Sequence, residues 1–184
     1  MTGRTVAANT LVAMRRPLVL TGGPAVGKST CARALAEGVP RAAFIDVDDI
    51  RQLVVADAAA PWDGSRGQEQ SALGATNACS VARNFITAGF DVTVADVLTP
   101  ATTAVYRAGL PQCLIVHLRI SIAVARARAA TRRVYLSDSE FEWIHQQDLT
   151  NPPDADVELD VDDWSEAEQV QVLVGLWAAT TSTA

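Results

Sequence analysis

Three observations predict a three-layer α/β fold, with a five-stranded parallel sheet, helices on both faces and a short lid. Short β-forming apolar runs alternate with helix-patterned segments from residue 18 onward. Glycines and acids gather at the carboxyl ends of those runs, at residues 22–29, 46–49 and 96. Open parallel sheets place their ligands at those ends. A length of 184 residues suits one domain with a proper core.

The elements follow in order. The apolar run 18–21 predicts a first strand, and 30–37 a helix closed by Gly38. Residues 42–47 predict a second strand ending in acids. A helix is expected over 49–60, stopping before Pro61. Residues 62–67 read as loop. A long helix follows, with Leu73, Thr76, Cys79, Ala82, Phe85 and Ile86 at helical spacing, and ends at Gly89. Residues 91–96 predict a third strand, 101–107 a short helix and 113–118 a fourth strand. An arginine-rich helix is expected over 121–131, a very short lid over 131–136, and a helix opened by Ser137 and Glu140 as a capping box through His145. After the break at Asn151-Pro152-Pro153, residues 157–160 predict the last strand. Ser165 and Glu168 form a second capping box at the start of a helix through Trp177. One domain over 14–184 is expected, preceded by a mobile tail, 1–13.

Composition narrows the function classes. The net charge of −6 disfavours a broad nucleic-acid face. No apolar run reaches the length of a membrane span, and residues 1–15 lack the continuous hydrophobic stretch of a signal peptide. Cys31, Cys79 and Cys113 form no C-x-x-C and read as reduced, buried thiols, so a cytoplasmic setting is expected.

The chemistry begins at Gly22-Gly23-Pro24-Ala25-Val26-Gly27-Lys28-Ser29, which fits G-x-x-x-x-G-K-[ST] at every fixed position. It stands between a strand and a helix, the setting that lets backbone N–H groups and a helix N-terminus surround phosphates. Residues 22–29 and Thr30 are therefore the expected ATP-binding residues. Lys28 is expected on the β- and γ-phosphates, and the Ser29 hydroxyl in a Mg²⁺ shell. A second group follows the second strand. In extended chain Asp46 and Asp48 face one side, one suited to hold Mg²⁺ through water and the other to accept a proton from a hydroxyl. Asp49 is the expected N-cap of the next helix. Asp96, ending the third strand, is the other candidate metal acid. Arg126, Arg128, Arg132 and Arg133 crowd one helix and its exit, where a cation-rich lid would neutralise a transferring phosphoryl group. Arg51 and Trp62 are expected to contact the acceptor. His117 reads as a satisfied core histidine and His145 as a surface or lid-packing residue.

The order of these motifs, glycine loop, Asp46-x-Asp48-Asp49-x-Arg51 and arginine helix before a short lid, resembles the small P-loop kinases over almost the whole chain from Pro17. It is most similar to the chloramphenicol phosphotransferase-like and zeta-toxin-like group, with shikimate and gluconate kinases as neighbours. The resemblance implies a P-loop NTPase fold and an acid at Asp48 acting on the substrate hydroxyl. It also implies a partner acid at Asp46 and lid arginines at Arg128 and Arg132, with Arg126 and Arg133 as alternates. The expected activity is ATP- and Mg²⁺-dependent phosphoryl transfer to the hydroxyl of a small molecule, an antibiotic among the candidates, by a monomer or homodimer. The alternatives are a metabolic sugar-acid or nucleotide kinase, and an ATP-binding resistance or regulatory protein that transfers nothing.

Overall fold

The computed structural model describes residues 14–131 and 136–181. The expected tail 1–13 and the arginines at 132 and 133 lie outside the described residues. The elements are β1 (Leu18–Thr21), α1 (Lys28–Glu37), β2 (Ala42–Asp46), α2 (Val47–Arg51), α3 (Gly64–Thr87), β3 (Asp91–Ala95), α4 (Pro100–Gly109), β4 (Leu114–Arg119), α5 (Ile122–Ala129), α6 (Asp138–Thr150), β5 (Val157–Asp160) and α7 (Glu166–Ala178). The five strands form one sheet in the order β2-β3-β1-β4-β5, every pair parallel.

The sheet is apolar on both faces because helices cover both, as a parallel sheet requires. Alternation along β1 sorts the core: Leu18 and Leu20 pack on one side with Leu35, Leu173 and Trp177, and Val19 on the other with Ala78 and Tyr106. The closing helix is tied to the start of the sheet. Trp177, almost wholly buried, donates from Nε1 to the Arg16 carbonyl at 2.8 Å. Arg15 is salt-bridged to Asp91 at 2.7 Å, and it pairs its backbone with Thr181 in an antiparallel bridge. Both predicted capping boxes form, at Ser137 with Glu140 and at Ser165 with Glu168. The three cysteines are free and buried. Burial pushes the thiols of Cys31 and Cys79 up to about 11, so neither is ionised near neutrality.

The helix expected over 49–60 is corrected. α2 spans only Val47–Arg51, and its N-cap is Asp46, not Asp49: the Asp46 side chain accepts from the Asp48 N–H at 3.1 Å. That cap starts the helix as soon as β2 ends. Asp46 and Asp48 therefore do not share an extended stretch; one ends a strand and the other lies in a helical turn. α2 has already ended at Arg51, and Asp57, in the left-handed region at φ 59°, excludes one unbroken helix through residue 60. Among the described residues, no helix is long and apolar enough to cross a membrane.

Candidate functional site

The loop between β1 and α1 has the backbone its glycines permit. Gly22 has φ 137°, and a Cβ there would stand 2.1 Å from the Leu118 carbonyl oxygen, so β4 approaches closely only because the residue is glycine. Gly27, left-handed at φ 106°, is the N-cap of α1. It supplies no side-chain cap, and no acid occupies the first helical turn. The N-terminus of this ten-residue helix thus carries its partial positive charge with no carboxylate in its first turn. The Lys28 ammonium donates to the carbonyls of Gly22 and Gly23, each at 2.8 Å, so it folds back across the loop that precedes it. Ser29, next to it, is exposed.

The acids stand at the ends of β2 and β3. Asp48 is open to solvent, its side chain 74 % exposed, and accepts from Arg51 Nη1 at 2.9 Å. Arg51 Nη2 donates to Asp96 Oδ1 at 2.6 Å, and Asp96 also accepts from the Tyr106 hydroxyl at 3.0 Å and from the Val97 N–H at 2.8 Å. A chain of contacts thus runs from the buried Tyr106 through Asp96 and Arg51 to the exposed Asp48. Burial pushes the Asp96 carboxyl up, while the Arg51 charge and the hydrogen bonds from Arg51 and Tyr106 pull it back. Desolvation works against the Arg51 cation, but Asp96 and Asp48 hold it charged and leave its pKa raised. Burial and the neighbouring Asp96 charge keep the Tyr106 hydroxyl protonated, as a donor.

Both carboxylate oxygens of Asp96 are already engaged, so the residue is built as the anchor of Arg51. Asp96→Ala is expected to cost about 3 kcal/mol, because it leaves a largely buried guanidinium with one partner and strips the Tyr106 hydroxyl of its acceptor. Denaturant unfolding measures this, and an unchanged midpoint would remove the anchoring role.

The arginines separate. Arg126 is exposed and reaches Glu142 on α6 at 3.6 Å, a surface ion pair. Arg128, expected on the transferring phosphoryl group, is held otherwise. Its Nη2 donates to the carbonyls of Val161 at 2.7 Å and Trp164 at 2.8 Å, and its Nη1 lies 3.4 Å from the Val26 carbonyl. The buried Gln169 completes the link when its amide nitrogen donates to the Val26 carbonyl at 3.1 Å and its oxygen accepts from Arg128 Nη1 at 2.9 Å. Main-chain carbonyls capture the guanidinium because the segment after β5 packs against the glycine loop. Arg128 is in this structure a tie between that loop, β5 and α7. Arg132, the other expected lid cation, and the alternate Arg133 are outside the described residues.

Trp62 meets Trp143 of α6 edge to face, ring centroids 6.0 Å apart at 73°. Trp62 stands between α2 and α3, on the β2 side of the sheet. The helix carrying Trp143 rests on the glycine loop and on β4: His145 approaches Gly23, and Asp148 bonds His117. The aromatic pair therefore joins the segment between α2 and α3 to α6.

No protein-family model matches the chain, and no curated protein matches it by sequence. Solved structures do match its shape. A sugar kinase from Janibacter sp. HTCC2649 superposes with a TM-score of 0.69 at 18 % identity, covering 92 % of this chain and 99 % of that one. A gluconokinase from Sinorhizobium meliloti 1021 gives 0.65 at 20 % identity over 91 % and 94 %. Shikimate kinase from Acinetobacter baumannii, in complex with shikimate, gives 0.63 at 18 % identity over 93 % and 97 %. The fold is that of the small P-loop kinases. The broader likeness read from the sequence, to shikimate and gluconate kinases, is thereby supported at the level of fold.

Several site residues escape the sequence reading. His145 is buried, not on the surface, and His117 is only half satisfied: its Nε2 is bonded and its Nδ1 is not. Asp148, Gln169 and Trp143 were not singled out. Two of these carried a readable signal. Phe141, His145 and Asp148 repeat at the four- and three-residue spacing of a buried face. Gln169 likewise shares a stripe with Leu173 and Trp177.

Proposed function

We propose that the protein is an ATP-dependent kinase that transfers the γ-phosphoryl group to a hydroxyl of a small molecule. The observation that supports this most is the sheet order β2-β3-β1, which gathers the carboxyl ends of three consecutive strands. A lysine-bearing glycine loop follows β1, and an exposed carboxylate, Asp48, follows β2 with Arg51 fastened to Asp96 at the end of β3. Backbone N–H groups of residues 22–30 other than Pro24, together with the N-terminus of α1, would bind the triphosphate. Asp48 accepts the proton of the acceptor hydroxyl, whose oxygen attacks the γ-phosphorus as the bond to the β,γ-bridging oxygen breaks and ADP leaves. Lys28 neutralises charge on the phosphates, and Arg132 is the sequence's candidate for the same task from the lid.

The residues fit a Mg²⁺ ion. Ser29 is exposed beside Lys28, and Asp46, whose Oδ1 caps α2, keeps its second oxygen. A magnesium ion held mostly by phosphates and water needs no more than such a hydroxyl and one carboxylate. Once bound it would screen charge on the β- and γ-phosphates. Asp96, its oxygens occupied, serves instead through Arg51.

On the acceptor side, Arg51 has Nη1 and Nη2 committed to acids, and Trp62 with Trp143 offers aromatic surface. Two of the five N–H donors of Arg51 are used in this way, and the aromatic surface suits a hydroxylated ring, neutral or acidic. A hydroxylated antibiotic, as the resemblance to the chloramphenicol phosphotransferase-like group suggests, is therefore tested beside the sugars. Incubation with ATP, Mg²⁺ and a panel of neutral sugars, sugar acids, nucleosides and hydroxylated antibiotics is expected to yield one product heavier by one phosphate. Nucleotide binding without transfer to any member of the panel or of a metabolite extract would favour the non-catalytic alternative.

A further inference from the structure

Gln169 of α7 reaches the glycine loop from its buried side, in the stripe that continues through Leu173 and Trp177. An amide can turn either its oxygen or its nitrogen toward a neighbour, and here Arg128 decides which. The guanidinium donates from Nη1 to the Gln169 oxygen at 2.9 Å, which leaves the amide nitrogen to donate to the Val26 carbonyl at 3.1 Å. The opposite orientation would set acceptor against acceptor and donor against donor. Arg128 is itself fixed, because its Nη2 donates to the carbonyls of Val161 at 2.7 Å and Trp164 at 2.8 Å. A Cβ on Gly27 would stand 3.0 Å from the Gln169 side-chain amide, so that group lies against both residues of the Val26–Gly27 peptide.

That peptide is trans and therefore planar, with its C=O and N–H pointing in opposite directions. Holding the Val26 carbonyl on Gln169 sends the Gly27 N–H away from α7. Val26 is buried and Gly27 half-buried, so the far side of the peptide is the side that opens toward solvent. We propose that Gln169 and Arg128 are positioning residues for the phosphates: by holding the Val26 carbonyl they aim the Gly27 N–H at a bound triphosphate. The inference rests on the nucleotide-binding half of the function proposed above. Gly27 stands at φ 106° and has no side chain to hold its peptide plane, and glycine turns more freely than any other residue. The direction of its N–H is set by what grips the two neighbouring carbonyls. One is the Val26 carbonyl on Gln169, and the other is its own, which accepts from the Cys31 N–H at 2.9 Å. A donor already aimed needs no reorganisation when the anion arrives.

Gln169→Met keeps the length of the side chain and removes both the donor to Val26 and the acceptor for Arg128. Calorimetric titration with Mg²⁺ and a non-hydrolysable ATP analogue, and separately with inorganic tripolyphosphate, reads the affinity of the folded protein. We expect the unaltered chain to bind both, and the variant to bind both about 10- to 100-fold more weakly, the worth of one hydrogen bond to a charged acceptor. Glycine-selective ¹⁵N labelling follows the Gly27 amide directly. Its proton resonance is expected to move downfield when tripolyphosphate binds the unaltered chain, and to move far less in the variant. The first of these shifts needs no substitution, so it tests the aim of the N–H should Gln169→Met not fold. Failure of the unaltered chain to bind either ligand would overturn the nucleotide reading itself. A loss confined to the ATP analogue would move the effect of the pair to the nucleoside. That outcome, undiminished affinity for both ligands in Gln169→Met, or an unmoved Gly27 resonance in the unaltered chain would each overturn the positioning role while leaving the nucleotide reading intact.

Discussion

Asp48→Asn is expected to lower phosphoryl transfer by about 10²- to 10⁴-fold and leave ATP affinity within about twofold. The amide keeps the size of the side chain and one oxygen for Arg51, so α2 and the Arg51–Asp96 pair stay in place. What disappears is the capacity to accept a proton from the acceptor hydroxyl. The carboxylate is well placed for that task because it is exposed and yet oriented by a guanidinium that is itself anchored. Steady-state kinetics with ATP and acceptor varied separately distinguishes the possibilities. A fall in kcat alone supports the base, whereas a joint loss of turnover and ATP affinity assigns Asp48 a structural or metal-holding part. Unchanged turnover takes it out of the mechanism.

Lys28→Ala is expected to reduce turnover at saturating ATP by about 10²- to 10³-fold, the range for removing one preorganised charge-stabilising group. The ammonium donates to the carbonyls of Gly22 and Gly23. In the proposed reaction phosphate oxygens would replace those neutral acceptors, an interaction that would strengthen as charge develops on the transferring group. If the lysine served only to brace the loop, the variant would lose thermal stability and nucleotide affinity, and turnover at saturation would survive. Comparing kcat with melting temperature separates the two outcomes.

How much of this was legible beforehand differs by element, for physical reasons. The strands and long helices were readable because each repeats its own apolar period, and the glycine loop because its spelling and its strand–helix setting agree. The stretch after β2 was misread because two acids compete to cap one helix. Asp46 wins at the moment the strand ends, and a left-handed Asp57 forbids the continuation that composition alone allowed. Arg128 shows the deeper obstacle. Its sequence position gives it a charge and a helix face, but its partners are carbonyls more than thirty residues away at Val161 and Trp164, reachable only after β5 has docked. The same holds for Arg51 with Asp96 and for His117 with Asp148, pairs made by the fold between segments that share no local pattern.

The clasp of Trp177 on the Arg16 carbonyl has a consequence for the order in which the molecule can be made. β1 and its glycine loop are synthesised first, yet one side of β1 packs against Leu173 and Trp177, and the Val26 carbonyl meets Gln169. On a ribosome, the nascent loop waits for α7 to emerge before its underside is closed. The segment proposed to hold the nucleotide is thus made well before the helix that closes its underside.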